Sequence, residues 1–154
     1  MSGHFWDTSA LVKHYHAELG TAKVDALLQV PGFQQVISRL GVTETFSVFA
    51  GKVRAGLVTQ AEFDKLCRRF LADTRGKVFS VARLLVAHHK EADRLLRTYG
   101  PTPGQGIRTL DALQLAAALD LRNKGVIDTV VSADARLLGV AKAEGFSVVD
   151  PEKP

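Results

Sequence analysis

The sequence predicts an α/β fold, a central parallel β-sheet of four to five strands with helices on both faces. Two observations carry this. Short β-prone runs alternate with helical patterns along the whole chain, the arrangement that builds a parallel sheet. Two late segments, a helix around Asp111–Asn123 and a strand over 126–131, are apolar almost throughout, as elements buried between layers must be.

The elements follow in order. Gly3–Trp6 is a strand that runs into the capping residues Asp7-Thr8-Ser9, and an amphipathic helix is expected over Ala10–Glu18. Gln35–Ser38, with Val36 and Ile37, is a second strand, after which Phe46, Phe49 and Val53 recur at helical spacing. Thr59–Thr74 is a helix with Phe63, Leu66, Phe70 and Leu71 as its apolar side. Lys77–Val81 is a third strand, and a helix is expected from Leu85 to Tyr99. Pro101–Gly106 is the clearest loop. The helix of Asp111–Asn123 closes at Lys124-Gly125. Val126–Val131 is a fourth strand, Ala135–Glu144 a helix ending at Gly145, and Phe146–Val149 a last short strand.

The bulk numbers narrow the functional classes. A chain of 154 residues, 46% hydrophobic and 23% charged, suits one globular domain and excludes a disordered tail. Cys67 is the only cysteine, so neither an intramolecular disulfide nor a multi-cysteine zinc site can form. No apolar run reaches the ~18–20 residues that span a bilayer, and the N-terminus lacks the pattern of a secretory signal. A cytoplasmic protein with no membrane partner is expected. The formal net charge is +4 and the pI near 9.4. Between Lys52 and Arg97 there are 11 Lys/Arg against 5 Asp/Glu, either solvated helix faces or a footprint for phosphates.

In a parallel sheet, ligands bind beyond the carboxyl ends of the strands. Asp7 directly follows the first strand, and Asp134 lies three residues past Val131. Asp111 opens the Leu/Ala helix, and Glu44 stands near the start of the helix after the second strand. Each has an ordinary local explanation. Asp7 can cap a helix, Glu44 and Asp111 can be first-turn acids, and Asp134 can be a turn residue. Together they reach one crevice if the first and fourth strands are neighbours. Along the Asp111–Asn123 helix, Leu110, Leu113, Ala117 and Leu121 form one apolar face, and Asp111, Gln114, Ala118 and Arg122 form a narrow remaining strip. An acid at the end of so apolar a helix needs a partner. Two carboxylates ~4 Å apart repel by about 4 kcal/mol at an effective dielectric near 20. Such a pocket either stays partly protonated or holds a cation, and all-oxygen ligands suit Mg²⁺ or Mn²⁺. A cation so placed suits hydrolysis of a phosphodiester.

The same residues carry a resemblance. Asp7-Thr8-Ser9-Ala10-Leu11-Val12-Lys13-His14-Tyr15 resembles the opening motif of PIN domains, and Thr109-Leu110-Asp111-Ala112-Leu113-Gln114-Leu115-Ala116 their third acidic motif. Val131-Ser132-Ala133-Asp134-Ala135-Arg136-Leu137-Leu138, with Ala141 and Gly145, resembles the fourth; Glu44 in Gly41-Val42-Thr43-Glu44-Thr45-Phe46 fits the looser second. The match runs from Phe5 to about Pro151, and the chain's size is similar to the VapC toxins of toxin–antitoxin pairs. The resemblance implies that residues 1–154 form a single PIN-like nuclease domain, a Mg²⁺- or Mn²⁺-dependent endoribonuclease acting on RNA. It further implies a homodimer and inhibition by a VapB-type antitoxin. Asp7 and Asp111 would be the principal metal ligands, and Glu44 and Asp134 would complete the pocket through water or by orienting the nucleophile.

Other residues are assigned lesser roles. Thr8, Ser9 and Ser132 are hydroxyls that either position water or a ligand or, as the main expectation, only cap; His88 and His89 are expected to lie on a helix surface, and Trp6 to pack. His14 and His16 are weak candidates for a general base. The Pro101–Gly106 loop is longer than the usual link into the third motif, so it either shapes access for substrate or antitoxin or is a plain insertion. Free carboxylates attract a guanidinium fork, so an antitoxin is expected to insert an arginine. The alternatives are a PIN nuclease of RNA processing or decay, a receiver-like or other cation-binding α/β domain, and a catalytically silent RNA-binding protein. A receiver would require a late-strand lysine that this chain lacks.

Overall fold

Trp6 and Phe5 point to opposite sides of one strand, and the fold is organised around that alternation. The computed structural model describes residues 3–75 and 78–154. Its five strands are β1 (Gly3–Trp6), β2 (Gln34–Ser38), β3 (Ser80–Ala82), β4 (Thr129–Val131) and β5 (Ser147–Val149). They form one sheet in the order β3-β2-β1-β4-β5, parallel throughout. Strand side chains alternate with period two. Phe5, Val36, Val130 and Val148 enter one core, and Trp6, Ile37, Val131 and Val149 the other.

The first core is covered by α5 (Val86–Tyr99), α6 (Thr109–Asn123) and α7 (Ala135–Ala143). The second is covered by α1 (Thr8–Leu11), α2 (Thr21–Leu28), α3 (Arg39–Arg54) and α4 (Gln60–Thr74). Tyr15, Phe46, Phe49 and Phe70 stack edge to face in this second layer, with Phe49 and Phe70 fully buried. A capping box starts α4: Thr59 accepts the Glu62 N–H, and Glu62 accepts that of Thr59. Arg54, Lys65, Arg68, Arg69 and Arg75 are exposed.

Several expectations need correction. The helix expected over Ala10–Glu18 is one α-turn followed by a 3-10 turn, Val12–His14. It stops because the Lys13 carbonyl accepts the Thr21 hydroxyl at 2.8 Å in place of a helical N–H. Helix α2, which the pattern did not reveal, starts instead from Gly20 at φ 94°, where a Cβ would lie 2.8 Å from the Pro151 carbonyl oxygen. The third strand is Ser80–Ala82, and Lys77 of the expected span lies outside the described residues. The fourth begins at Thr129, because the Val126 N–H closes the end of α6 on the Leu121 carbonyl. Leu71 and Leu110 are exposed rather than core-facing. His88 is buried, not on the surface: Nδ1 accepts the Leu85 N–H at 3.0 Å and Nε2 meets Asp120 at 3.1 Å. No helix among the described residues is long and apolar enough to cross a membrane.

Truncating Phe70 should leave a cavity lined by three aromatic rings. Phe70→Ala is expected to cost about 3–5 kcal/mol, seen as a lower urea midpoint with an unchanged slope.

Candidate active site

The strand order reverses between β1 and β4. The chain builds β1, β2 and β3 outward on one side, then crosses back to place β4 against β1. The carboxyl end at such a reversal opens a crevice. Asp7 and Ser132 leave β1 and β4 there side by side, joined by the Asp7 N–H to the Val131 carbonyl at 3.0 Å.

Asp7 is buried, and its carboxylate does not cap α1. Its Oδ2 accepts two hydroxyls instead, from Ser9 at 2.5 Å and from Ser132 at 2.8 Å. Ser9 Oγ also accepts the Ala133 N–H, and Ser132 Oγ that of Asp134, at 3.0 and 2.9 Å. Capping was the main expectation for these serines; their hydroxyls instead clamp Asp7 to the loop after β4. Asp134 does serve as a cap, its Oδ1 accepting the Arg136 N–H at 2.9 Å and the Leu137 N–H at 3.4 Å.

Helices α3 and α6 bring the other two acids in from opposite faces of the sheet. Glu44, in the second turn of α3, is half-buried. Asp111, in the first turn of α6, is buried, and the Arg108 guanidinium Nε stands 3.8 Å from its Oδ2. Gln114, one turn further along α6, spans the gap and donates Nε2 to Glu44 Oε2 at 2.6 Å. The sequence placed Gln114 on the polar strip with Asp111 without giving it a role. Its signal was the spacing of three from Asp111, one helical turn on the same strip.

Burial and neighbouring charge act on the acids together. Desolvation raises the Glu44 pKa, and the negative charges of Asp7 and Asp111 raise it further against the opposing Gln114 hydrogen bond. Asp111 is raised by desolvation first and then by Asp7, with a smaller contribution from Asp134. All four acids are therefore within electrostatic reach around Asp111 and Asp7. Among the described residues, however, no three His, Cys, Asp or Glu side chains converge as a ready-made ion cage.

Two adjoining hollows open above Asp111. One, of about 250 Å³, is lined by Gly106, Arg108, Asp111, Asp134 and Arg136. The other, of about 320 Å³, is lined by Glu44, Arg108, Thr109, Leu110 and Asp111. From the Pro101–Gly106 loop only Gly106 lines this crevice, while Pro101–Gly104 are exposed. A larger hollow of about 400 Å³ lies along α5 and α6, where Arg94 is paired with Glu91 and Glu144, and His88 with Asp120. Its charges satisfy one another, which leaves the acidic crevice as the candidate site. His14 is engaged by Asp25 and Arg69, and His16 by Lys52, so neither histidine is aimed at Asp7.

A carboxyl group with a raised pKa in the folded state favours folding while both states are protonated, and loses that advantage as pH rises through the raised value. In EDTA, Asp111→Asn is expected to melt above the wild type at about pH 8, and the gap should close towards about pH 4. Thermal melts across that range would check this; a variant melting below the wild type at the alkaline end would contradict the crowding of charge.

Neither a family model nor a curated protein matches the sequence. Solved structures do match over nearly the whole chain. VapC20 of Mycobacterium tuberculosis, a sarcin-ricin loop cleaving toxin, superposes with a TM-score of 0.68 at 18% identity, covering 97% of this chain and 100% of that one. A toxin–antitoxin complex from Klebsiella pneumoniae gives 0.64 at 17% identity, covering 99% and 100%. VapBC-1 from nontypeable Haemophilus influenzae gives 0.63 at 15% identity, covering 97% and 98%. With its five parallel strands, helices on both faces and β1–β4 reversal, the chain has the PIN-like fold of the VapC toxins.

Proposed function

We propose that this protein is a Mg²⁺- or Mn²⁺-dependent endoribonuclease and the toxin of a toxin–antitoxin pair. The observation that carries the reading is the grouping of Asp7, Glu44, Asp111 and Asp134 at the carboxyl end of β1 and β4, with two of them held up in pKa by burial and mutual charge. The VapC likeness supports the choice of RNA as substrate and of an antitoxin as partner.

The residues fit a hydrated divalent cation. Every donor is a hard oxygen, and Mg²⁺ takes one or two carboxylates while keeping several waters, so the lack of a three-carboxylate cage is no obstacle. Asp7 and Asp111 would hold the ion, with Glu44 and Asp134 acting through water. When bound, such an ion supplies a Lewis acid for the phosphate and lowers the pKa of water. The chain's own work is positional. Ser9 and Ser132 occupy Asp7 Oδ2 and so orient the carboxylate. Gln114 orients Glu44. Arg108 and Arg136, both on exposed positions lining the crevice, are placed to meet non-bridging phosphate oxygens.

Purified protein is expected to cut RNA with Mg²⁺ or Mn²⁺, and to stop on adding EDTA or in Asp7→Asn. Losing the charge at a metal-holding carboxylate should lower the rate by at least about 10²-fold, whereas cleavage that persists in both controls would refute the mechanism. An antitoxin is expected to place an arginine among the carboxylates, as Arg108 already approaches Asp111. Antitoxin affinity should then fall in Asp7→Asn and Asp111→Asn; calorimetry showing undiminished affinity in both would exclude that mode.

A further inference from the structure

Beneath Glu44, where the ends of β1 and β2 meet α3 and α6, Thr8, Ser38, Gly41 and Gln114 come together. The 2.6 Å bond from Gln114 Nε2 to Glu44 fixes the amide, because its nitrogen must face the carboxylate. Gln114 Oε1 is thereby aimed away from Glu44. Gln114 is 1% exposed, and this oxygen has no hydrogen-bond partner among the described residues. Thr8, also 1% exposed, has an unpartnered Oγ1.

Both oxygens face the same gap. A Cβ built on Gly41 would stand 3.4 Å from Ser38 Oγ, 3.7 Å from Gln114 Oε1 and 3.9 Å from Thr8 Oγ1, its three nearest neighbours. Three side-chain oxygens thus converge on the bare Cα of Gly41, at ordinary contact distance from where a Cβ would stand. Empty cavities in proteins are apolar, whereas polar ones hold water that makes about three hydrogen bonds. One water that accepted the Thr8 hydroxyl and donated to Gln114 Oε1 and to Ser38 Oγ, which already accepts the Gly41 N–H at 2.9 Å, would give both unpartnered oxygens a hydrogen bond.

We infer that a buried water occupies the gap at Gly41, bridging Thr8, Ser38 and Gln114, and that Gln114, so anchored, is a positioning residue that holds Glu44 towards the crevice. The second half rests on the cation-binding reading given above; the first does not. The alternative role for Gln114, plain filling of the interlayer space, needs neither of its polar ends.

Three measurements test this. A high-resolution crystal structure of the wild type should show a water within about 3.2 Å of Thr8 Oγ1 and Gln114 Oε1. Gly41→Ala should lower the melting temperature by expelling that water and stranding two oxygens, and adding Thr8→Val should recover part of the loss by removing one of them. In a dry gap the same alanine would fill space and favour the helix, so a raised melting temperature or an empty gap in the crystal would overturn the water. Gln114→Met, similar in length but without either polar end, should weaken Mn²⁺ binding by about 10- to 100-fold in calorimetry. Wild-type affinity in that variant would overturn the positioning role. A wild type that binds no Mn²⁺ would overturn the cation reading and that role with it, leaving the water to be decided by diffraction and melting.

Discussion

The pairing of β1 with β4 is the constraint on which the rest depends. It sets two strand ends side by side that are more than a hundred residues apart in sequence, and it brings Ser132 within 2.8 Å of Asp7. Without that register Asp7 is an acid at the start of a short helix, and Asp134 is the cap of another. With it, one carboxylate is clamped by hydroxyls from both sides of the strand reversal, and the crevice has a fixed centre. The central position of β1, buried at every residue, makes the clamp rigid.

Crowding of negative charge is the second organising fact. Asp111 lies within electrostatic reach of Asp7, Glu44 and Asp134, and the chain answers with neutral donors: Ser9 and Ser132 on Asp7, Gln114 on Glu44, backbone N–H groups on Asp134. Neutral donors orient carboxylates without cancelling their charge. Arg108, the one cation pairing with these four acids among the described residues, lies 3.8 Å from Asp111 with its side chain 83% exposed. A weak and solvated pair of that kind contributes little stability and yields readily to a stronger cation. The arrangement leaves most of the negative charge on these acids without a cationic partner among the described residues.

Much of this was legible beforehand, for identifiable reasons. The alternation of short β-prone runs with helical patterns and the apolar saturation of α6 are local properties, so the parallel sheet between two helical layers could be read directly. The acids were legible because strand ends are local features and the carboxyl edge follows from parallel topology. What stayed hidden involves partners distant in sequence. The first helix ends early because Thr21 takes the Lys13 carbonyl, and His88 is buried because Asp120 receives it. No periodicity reports such bonds.

Sequence by itself thus determined the layers and the strand–helix alternation, and it named the four acids as candidates, because hydrophobic pattern and capping chemistry act over a few residues. Tertiary structure alone decided how the acids are held. The serines that looked like caps orient Asp7, the polar strip of α6 turned out to carry Gln114 across to Glu44, and Gly41 is small where three oxygens face each other. These are contacts between segments whose separation in the chain carries no information about their distance in space. Only the packing of two helical layers on one strand reversal brings them within hydrogen-bond reach.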